Sequence, residues 1–545
     1  MITEQIRELL RTALRSLGAE GVLPAPPERI EVERPRVSEH GDFSANVALT
    51  MARAAGMSPR ELADRIVGAL AEPSWLAKVE VAGPGFINFF LSHGWLHDAI
   101  GQIAAEGDAY GRSSAGSGER IQVEFGSPNP TGPIHIGNAR NIAYGDILAG
   151  VLEASGYTVE RENYVNDAGG QIDVFGRSLE ARYLQALGRD AEFPEEGYAG
   201  AYVSDLGREL AGEVGERLVG KIDEIREWGL ARMLDGQRAT FERFGVRYDR
   251  WAFERDLHTS GAVAAAIEQL TAAGHTYEEE GAIWFRAEAF GAPKDRVLIR
   301  SAGNRKPTYL AADAGYLLDK LARGFDHLVY LWGADHHGTA ASLMAVARAL
   351  QADDHVEIIL YQFVSFTGGR MSKRAGEIVT LDELIDEVGV DAARFTFLTR
   401  SPDSSIDFDF DLVKAQSQEN PVYYVQYAHA RICSIVRKAA EQGIVLRPIE
   451  ETSLGELVHE SEYELMRKLA ELPETVEVAA ALRAPHRLTG YVLDLAALFH
   501  AFYRDCRVIG DDPALTQARL RLCDATRQAI GNVLGLLGVS APESM

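Results

Sequence analysis

The sequence predicts an α/β protein built on a doubly wound parallel-sheet domain, with a small α+β unit before it and an all-α unit after it. Three observations carry this. Apolar strand candidates, IQVEF (121–125), YTVERENYV (157–165), VLIRS (297–301), HLVYLWG (327–333) and EIILYQFVSF (357–366), are separated by helical stretches in the manner of repeated βα units. A long mixed-charge run with helical spacing, typified by EVGERLVGKIDEIREWGLARML, interrupts them after the second strand. Beyond SPDSSIDFDFD (401–411) helical stretches alternate with short Pro/Gly/Asp breaks, and no convincing strand run remains. With 545 residues and 46% hydrophobic content, the chain has material for two to four domains, each with a core.

In chain order, Ile6, Leu9, Leu10, Ala13, Leu14 and Leu17 recur at helical spacing. LPAPPE (23–28) then breaks the chain before the alternating IEVERPRV, and KVEVAGPGFINFFLS reads as two strands joined by a turn at GPGF (83–86). This gives an α+β domain over 1–110. YGRSSAGSGER (110–120) is a polar, flexible linker. A domain over 111–405 follows, with a helical insertion at about 171–290, and a helical domain over 406–545 ends the chain. IQVEF, the turn-rich SPNPTGP (127–133), a helix from Ile134 to about Ser155 and the strand YTVERENYV form a β-loop-α-β unit, which makes the sheet Rossmann-like. Ligands in such sheets sit beyond the carboxyl ends of strands, where a helix N-terminus favours anions, so the loop 126–138 is the expected site of a phosphate-bearing ligand.

Composition narrows the function classes. Lys and Arg number 55 against 80 Asp and Glu, a formal charge of -25, which excludes a generally basic nucleic-acid coat and leaves only local patches for such a partner. Cys433, Cys506 and Cys523 form neither a CxxC pair nor an even-numbered disulfide framework, as suits a reducing compartment. The N-terminus lacks a continuous apolar core, and no stretch of eighteen uncharged apolar residues occurs. A cytoplasmic protein without membrane association is expected, as a monomer. ADHHG (334–338) could suggest a metal, but adjacent histidines diverge and no zinc-like cluster accompanies them, so no metal site is expected. Asp335 and His336 are instead expected at the edge of an adenosine or substrate site.

Two loops carry the chemistry. In PNPTGPIHIGNARN (128–141), prolines stiffen the approach, Gly132 and Gly137 allow close backbone contact, and His135 and Asn138 stand three apart at the first helical turn. A preorganised donor there, aimed at a phosphate whose charge grows during attack at phosphorus, is worth ~3 kcal/mol of barrier. TGGRMSKRAGEIVTLDEL (367–384) sets Arg370, Lys373 and Arg374 between glycines after a strand, a cationic loop able to close on a triphosphate. Alone, the first loop is as well read as an ordinary helix start, and the second is better read as a solvated basic turn. Their joint occurrence, each beside a strand, favours nucleotide chemistry.

Together they resemble the HIGH and KMSKS signatures of class I aminoacyl-tRNA synthetases, written here HIGN (135–138) and RMSKR (370–374), with Asn138 and Arg370 replacing the usual His and Lys. The resemblance implies an ATP-dependent ligase that forms an aminoacyl adenylate, with His135, Asn138, Arg370 and Lys373 catalytic and Gly137, Met371 and Ser372 joining them, Asp335 and His336 around ATP. VEFGSPNPTGPIHIGN, ENYVNDAGGQI (162–172), RSAGNRKPTYLAADAGY (300–316), YLWGADHHG (330–338) and DAARF (391–395) are similar to the arginyl-tRNA synthetase family, a likeness that extends over essentially the whole chain. It implies L-arginine, ATP with Mg2+ and tRNA(Arg) as substrates and no tightly bound cofactor. It also implies that tRNA takes part in adenylate formation, and that the N-terminal domain meets the tRNA elbow. An always-cationic, planar guanidinium calls for paired acceptors. By the resemblance, Glu124, Ser127 and Asn129 serve the arginine amine and its neighbours, while Tyr309 and Asp313, four apart, serve its side chain. Tyr424, Tyr427 and Arg431, in NPVYYVQYAHARICSIVRK with Tyr423, His429, Arg437 and Lys438, supply rings and cations for unstacked tRNA bases. Synthetases for cysteine or glutamate, and an idle tRNA-binding paralogue, are the alternatives; the missing zinc-type cysteines weigh against the first and the acidic pocket against the second.

Overall fold

The computed structural model describes residues 2–545 apart from 24–25, 28, 36, 302–305 and 369–378. At its centre is a five-stranded sheet in which every neighbouring pair is parallel. From one edge its strands are Arg250–Phe253, Thr158–Val165, Arg120–Glu124, His327–Gly333 and Val356–Tyr361. In chain order this is 3-2-1-4-5, the arrangement of a doubly wound sheet whose winding direction reverses between its first and fourth strands.

The helix Ala139–Ala154 crosses between the first two strands, and residues around nearly its whole circumference are buried. Such a helix needs cover on all sides. The sheet supplies one side, and the C-terminal helices supply another through Leu472–Ala481 and Pro513–Leu536.

Three of the expected elements differ in extent. The stretch read as a helical insertion over about 171–290 holds helices Gly170–Ala186, Ala201–Val214 and Ile222–Arg243, but the chain then returns to the central sheet as Arg250–Phe253. A four-residue edge strand lying between helices carries too little alternation to stand out from them. Strand Arg296–Ile299, expected from VLIRS, belongs not to the parallel sheet but to an antiparallel sheet with Ala282–Phe285 and Thr276–Glu279. EIILYQFVSF divides into Val356–Tyr361 and Val364–Thr367, the latter pairing in parallel with Ile406–Asp409. The helical end of the chain therefore opens on a strand before its helices begin.

The N-terminal unit is a four-stranded antiparallel sheet with helices Ile2–Ala19, Val47–Ala55 and Pro59–Gly68, and it holds its own core around Leu10, Phe43, Ile66 and Phe89. IEVERPRV contributes only Val32–Glu33 to that sheet. Helix His93–Glu106 packs its Leu96, Ile100 and Ile103 into the larger core shared with the C-terminal helices instead. No helix among the described residues is long and apolar enough to cross a membrane.

Candidate active site

A cavity of about 610 Å³ opens beyond the carboxyl ends of Arg120–Glu124 and His327–Gly333, at the reversal point of the sheet. Every strand end nearby sends it a polar group. Glu124 closes the first strand, with Ser127 and Asn129 following on the loop; Tyr164 and Asn166 come from the second, Glu254 from the edge strand, and Tyr330 and Trp332 from the fourth. Ser127 adopts φ +45°, and its Oγ accepts from the Tyr164 backbone N–H at 3.1 Å. That bond fixes the turn, while Asn141 Oδ1 accepts from Gly126 N–H and its Nδ2 donates to the Leu331 carbonyl, tying the loop to the fourth strand.

The remaining wall comes from helix Tyr309–Ala322, whose Tyr309, Asp313, Tyr316 and Lys320 recur at spacings of four, three and four. The first three line the cavity; Lys320 lies beneath it with no exposed surface. Its Nζ donates to Glu124 Oε2 at 2.5 Å. The Asp313 carboxyl is pushed up to about 7, chiefly by burial and then by the negative charge of Glu124 and Glu254, against an opposing pull from Lys320. Burial also raises Glu254, partly offset by the Tyr164 hydroxyl and the His258 imidazole. No lysine or arginine among the described residues pairs with either Asp313 or Glu254. A cation entering between these carboxyls would relieve that repulsion, and a guanidinium would present the planar donors they can accept.

The anion side adjoins. His135 ends the loop after the first strand, and its Nδ1 accepts from the Gly137 backbone N–H at 3.0 Å. An accepting Nδ1 places the ring proton on Nε2. Desolvation lowers the imidazole's pKa, so at neutral pH it is an uncharged donor. Asn138, at the start of Ala139–Ala154, lines the cavity. The His135 loop is also joined to the chain that follows the cationic loop: His135 bridges Thr380 in antiparallel fashion, Ile136 N–H donates to the Val379 carbonyl, and Leu381 N–H donates to that of Ile134.

Three family descriptions match in order: the arginyl tRNA synthetase N terminal domain over residues 4–91, the class I (R) tRNA synthetase catalytic domain over 99–194, and the DALR anticodon binding domain over 425–545. The chain is 49% identical to the arginine–tRNA ligase of Heliobacterium modesticaldum over 536 residues, covering 96% of this chain and 94% of that one. It is 51% identical to that of Moorella thermoacetica over 94% and 93% of the two chains. The chain belongs to the arginyl-tRNA synthetase family. Among solved structures, a putative arginyl-tRNA synthetase from Campylobacter jejuni superposes with a TM-score of 0.77 at 31% identity, over 84% of this chain and all of that one.

Of the residues expected to form a site of this family, Glu124, Ser127, Asn129, Asn138, Tyr309, Asp313 and His336 meet around the cavity. His135 and Gly137, the first accepting from the backbone N–H of the second, are not among the lining residues but immediately precede Asn138, which is. Asp335 is 61% exposed, 3.8 Å from His336 Nε2, and is not among the lining residues. Arg370, Met371, Ser372, Lys373 and Arg374 lie outside the described residues. Both flanks of their loop are described, one in strand Val364–Thr367 and the other at the His135–Thr380 bridge.

Tyr424, Tyr427 and Arg431 lie on helix Pro421–Glu441. Arg431 stacks 4.6 Å from the Tyr427 ring centre and 5.2 Å from that of Tyr503, while Tyr424 packs 4.9 Å from His500. Burial, with Arg431 nearby, pushes His500 down to about 4, leaving a neutral ring. His429 is buried instead, bonded through Nδ1 to the Pro542 carbonyl, and takes no part in this half-open patch.

Sequence reasoning passed over Tyr164, Glu254, Tyr316, Trp332 and Lys320. Tyr316 and Lys320 extend the Tyr309–Asp313 stripe by further helical steps, a signal that was available. Glu254 follows the edge strand hidden within the helical run, and its position depended on recognising that strand.

Proposed function

We propose that the protein is an arginine–tRNA ligase that joins L-arginine to the 3′ end of tRNA(Arg), giving arginyl-tRNA, AMP and diphosphate. The observation that carries this is the group of carboxyls, Asp313 and Glu254 beside Glu124, on the wall of a cavity whose rim is the HIGN turn. The guanidinium of arginine lies against Asp313 and Tyr309. Its ammonium lies toward Glu124, Ser127 and Asn129, which turns its carboxylate to the rim.

There a carboxylate oxygen attacks the α-phosphorus of ATP, the bond to diphosphate breaks, and arginyl adenylate forms. His135 Nε2–H and the Asn138 amide donate to the phosphate oxygens as their charge grows, with Gly137 leaving room for the backbone to approach. Asp335 and His336 sit at the adenosine edge. Arg370 and Lys373 neutralise the departing diphosphate, Met371 and Ser372 take part in binding ATP, and magnesium enters as part of the ATP complex. A hydroxyl of the terminal tRNA adenosine then attacks the adenylate carbonyl and AMP leaves. Positioning and charge stabilisation account for both steps, and no covalent enzyme intermediate is required. The N-terminal unit meets the tRNA elbow, and the Tyr424, Tyr427 and Arg431 patch receives anticodon-loop bases. The enzyme works in the cytoplasm as a monomer.

A charging assay with each amino acid, with and without tRNA(Arg), tests the reading. Arginine alone should be esterified, and adenylate formation, followed by ATP–diphosphate exchange, should depend on tRNA. Esterification of another amino acid, or of none, would overturn it.

A further inference from the structure

The carboxyls around the cavity differ in how they are compensated, and the difference originates beneath the floor. Lys320 sits in a compartment closed by the Tyr330 ring, 3.7 Å from its ammonium, and the Tyr316 ring at 4.2 Å. A buried ammonium persists only where a carboxylate and π faces replace its water. Two carboxylates are near, Glu124 from the first strand and Glu162 from the second. Glu162 is already engaged, by Arg323 Nη1 at 2.6 Å and by the Tyr316 hydroxyl at 2.5 Å, and Arg323 also holds Glu160 at 2.7 Å. Lys320 is thereby committed to Glu124. Of the three carboxyls that line the cavity, Glu124 has a fixed lysine partner, whereas Asp313 and Glu254 have no lysine or arginine partner among the described residues, the basic group facing Glu254 being the His258 imidazole at 3.5 Å.

Resting on the reading of this cavity as the arginine site, we propose that Lys320 is a specificity-determining residue. By neutralising Glu124 it sets the pocket to hold one proton between Asp313 and Glu254 when empty, and to exchange that proton for one side-chain cation. The proton displaced by the guanidinium passes to the solvent. A neutral isostere of the side chain displaces none and gains nothing from the exchange.

The other groups around the cluster are consistent with this count. Asp313 feels Glu124 and Glu254 as like charges and Lys320 as the opposing one. Glu254 is faced by Tyr164, His258 and Asp167. Tyr316 and Tyr330 are held neutral by burial, and Arg323 is occupied by the Glu160–Glu162 pair. Without the positive charge of Lys320, the Asp313 proton is retained to higher pH, and arginine must compete with it there.

The test is calorimetric titration of arginine and of citrulline into the full chain, from about pH 6 to about pH 9, in two buffers of different ionisation heat. Wild-type protein should release about half a proton per arginine near pH 7 and close to one near pH 6, with affinity falling up to about tenfold per pH unit below the midpoint, and citrulline should release none. Lys320→Gln should move that midpoint up by about one unit and weaken arginine about fivefold at neutral pH, while Lys320→Arg should keep both near wild type. A folded Lys320→Gln with an unmoved midpoint overturns the proposal, as does wild-type arginine binding without proton release. Should Lys320→Gln fail to fold, Lys320→Met, which keeps the length of the side chain without its charge, should show the same raised midpoint, and an unmoved one overturns the proposal. Absence of arginine binding at every pH would instead remove the arginine reading, and this inference with it.

Discussion

With no cation in the cavity, the Asp313 carboxyl titrates near 7, held there by burial and by the charges of Glu124 and Glu254. Its folded-state pKa thus lies above the unfolded value, so the native state binds the proton more tightly. The stability contributed by that tighter binding is full only below the unfolded carboxyl's value of 3.8, falls progressively as pH rises from there, and is gone above about pH 7. Replacing Asp313 with Asn keeps the shape and removes the charge. The unliganded Asp313→Asn variant should therefore be more stable than wild type at pH 8, by up to about 4 kcal/mol, and little different at pH 4, as denaturant unfolding at the two pH values would show. The same variant should raise KM for arginine at least about a hundredfold in ATP–diphosphate exchange, with KM for ATP nearly unchanged, because a guanidinium loses its charged acceptor. An unaltered arginine KM would remove Asp313 from the site. At this scale the sequence was most informative where a residue type and a helical step coincide, as at Tyr309 and Asp313. It was silent on Glu254, whose role comes from sheet order, and on Lys320, whose partner lies 196 positions away.

Between the two signature loops the connections are made by whole elements. Arg140, one step into the HIGN helix, is fully buried and donates through Nη1 to the carbonyls of Gln362 and Ser404, each at 2.8 Å, and through Nη2 to that of Ser401 at 2.7 Å. These carbonyls flank the paired strands Val364–Thr367 and Ile406–Asp409, one of which leads into the cationic loop. On the far side Thr380 caps Leu381–Val388 in a reciprocal box with Glu383, and it pairs with His135. Arg140→Met leaves the part-buried carbonyls of Gln362 and Ser404 without donors, and that of Ser401 with only the Ser404 N–H, and should destabilise the protein by roughly 3 kcal/mol. It should also slow adenylate formation more than it weakens arginine, which single-turnover kinetics against equilibrium binding would separate. Lys373→Ala should likewise lower turnover by about a hundredfold or more with little loss of arginine binding. The reverse pattern, weak binding with normal turnover, would overturn the phosphate-side role of that loop. Four of the five sheet strands were legible, three as largely apolar runs bounded by turns and Thr158–Val165, with its three charged residues, by its place after the helix of a β-loop-α-β unit. Arg250–Phe253 was not, since an edge strand of four residues flanked by charged helices has neither the length nor the alternation to mark it.

Across the whole molecule, one core runs from the HIGN helix to the C-terminal helices, whereas the N-terminal unit keeps its own. The larger core is pinned by Arg394, only 2% exposed, which donates to Asp146 Oδ2 at 2.6 Å and to the carbonyls of Leu537 and Phe244. The N-terminal unit meets the helical end through ion pairs, Arg34 with Glu471 and Glu474 and Arg467 with Asp42. The Tyr424, Tyr427 and Arg431 patch belongs to a helix that shares this core with the HIGN helix. A polyanion such as tRNA approaches a chain of net charge -25, and attraction must come from local cations acting over a Debye length of about 8 Å at physiological salt. At low salt the global repulsion reaches further than the patches do, whereas phosphate contacts once formed release counterions. The two effects depend on salt in opposite directions, and counterion release from the contacted phosphates dominates the affinity because those contacts are the nearer ones. Equilibrium binding of tRNA(Arg), measured by filter retention, should weaken steeply with salt, with a log–log slope of about -0.7 to -0.9 for each phosphate contacted. Arg431→Ala should weaken binding through lost stacking at Tyr427 and Tyr503 and make that slope shallower by no more than about one. A flat salt response in the wild-type protein would mean that phosphate contacts do not hold the tRNA, and the placement of its anticodon loop on this patch would fall.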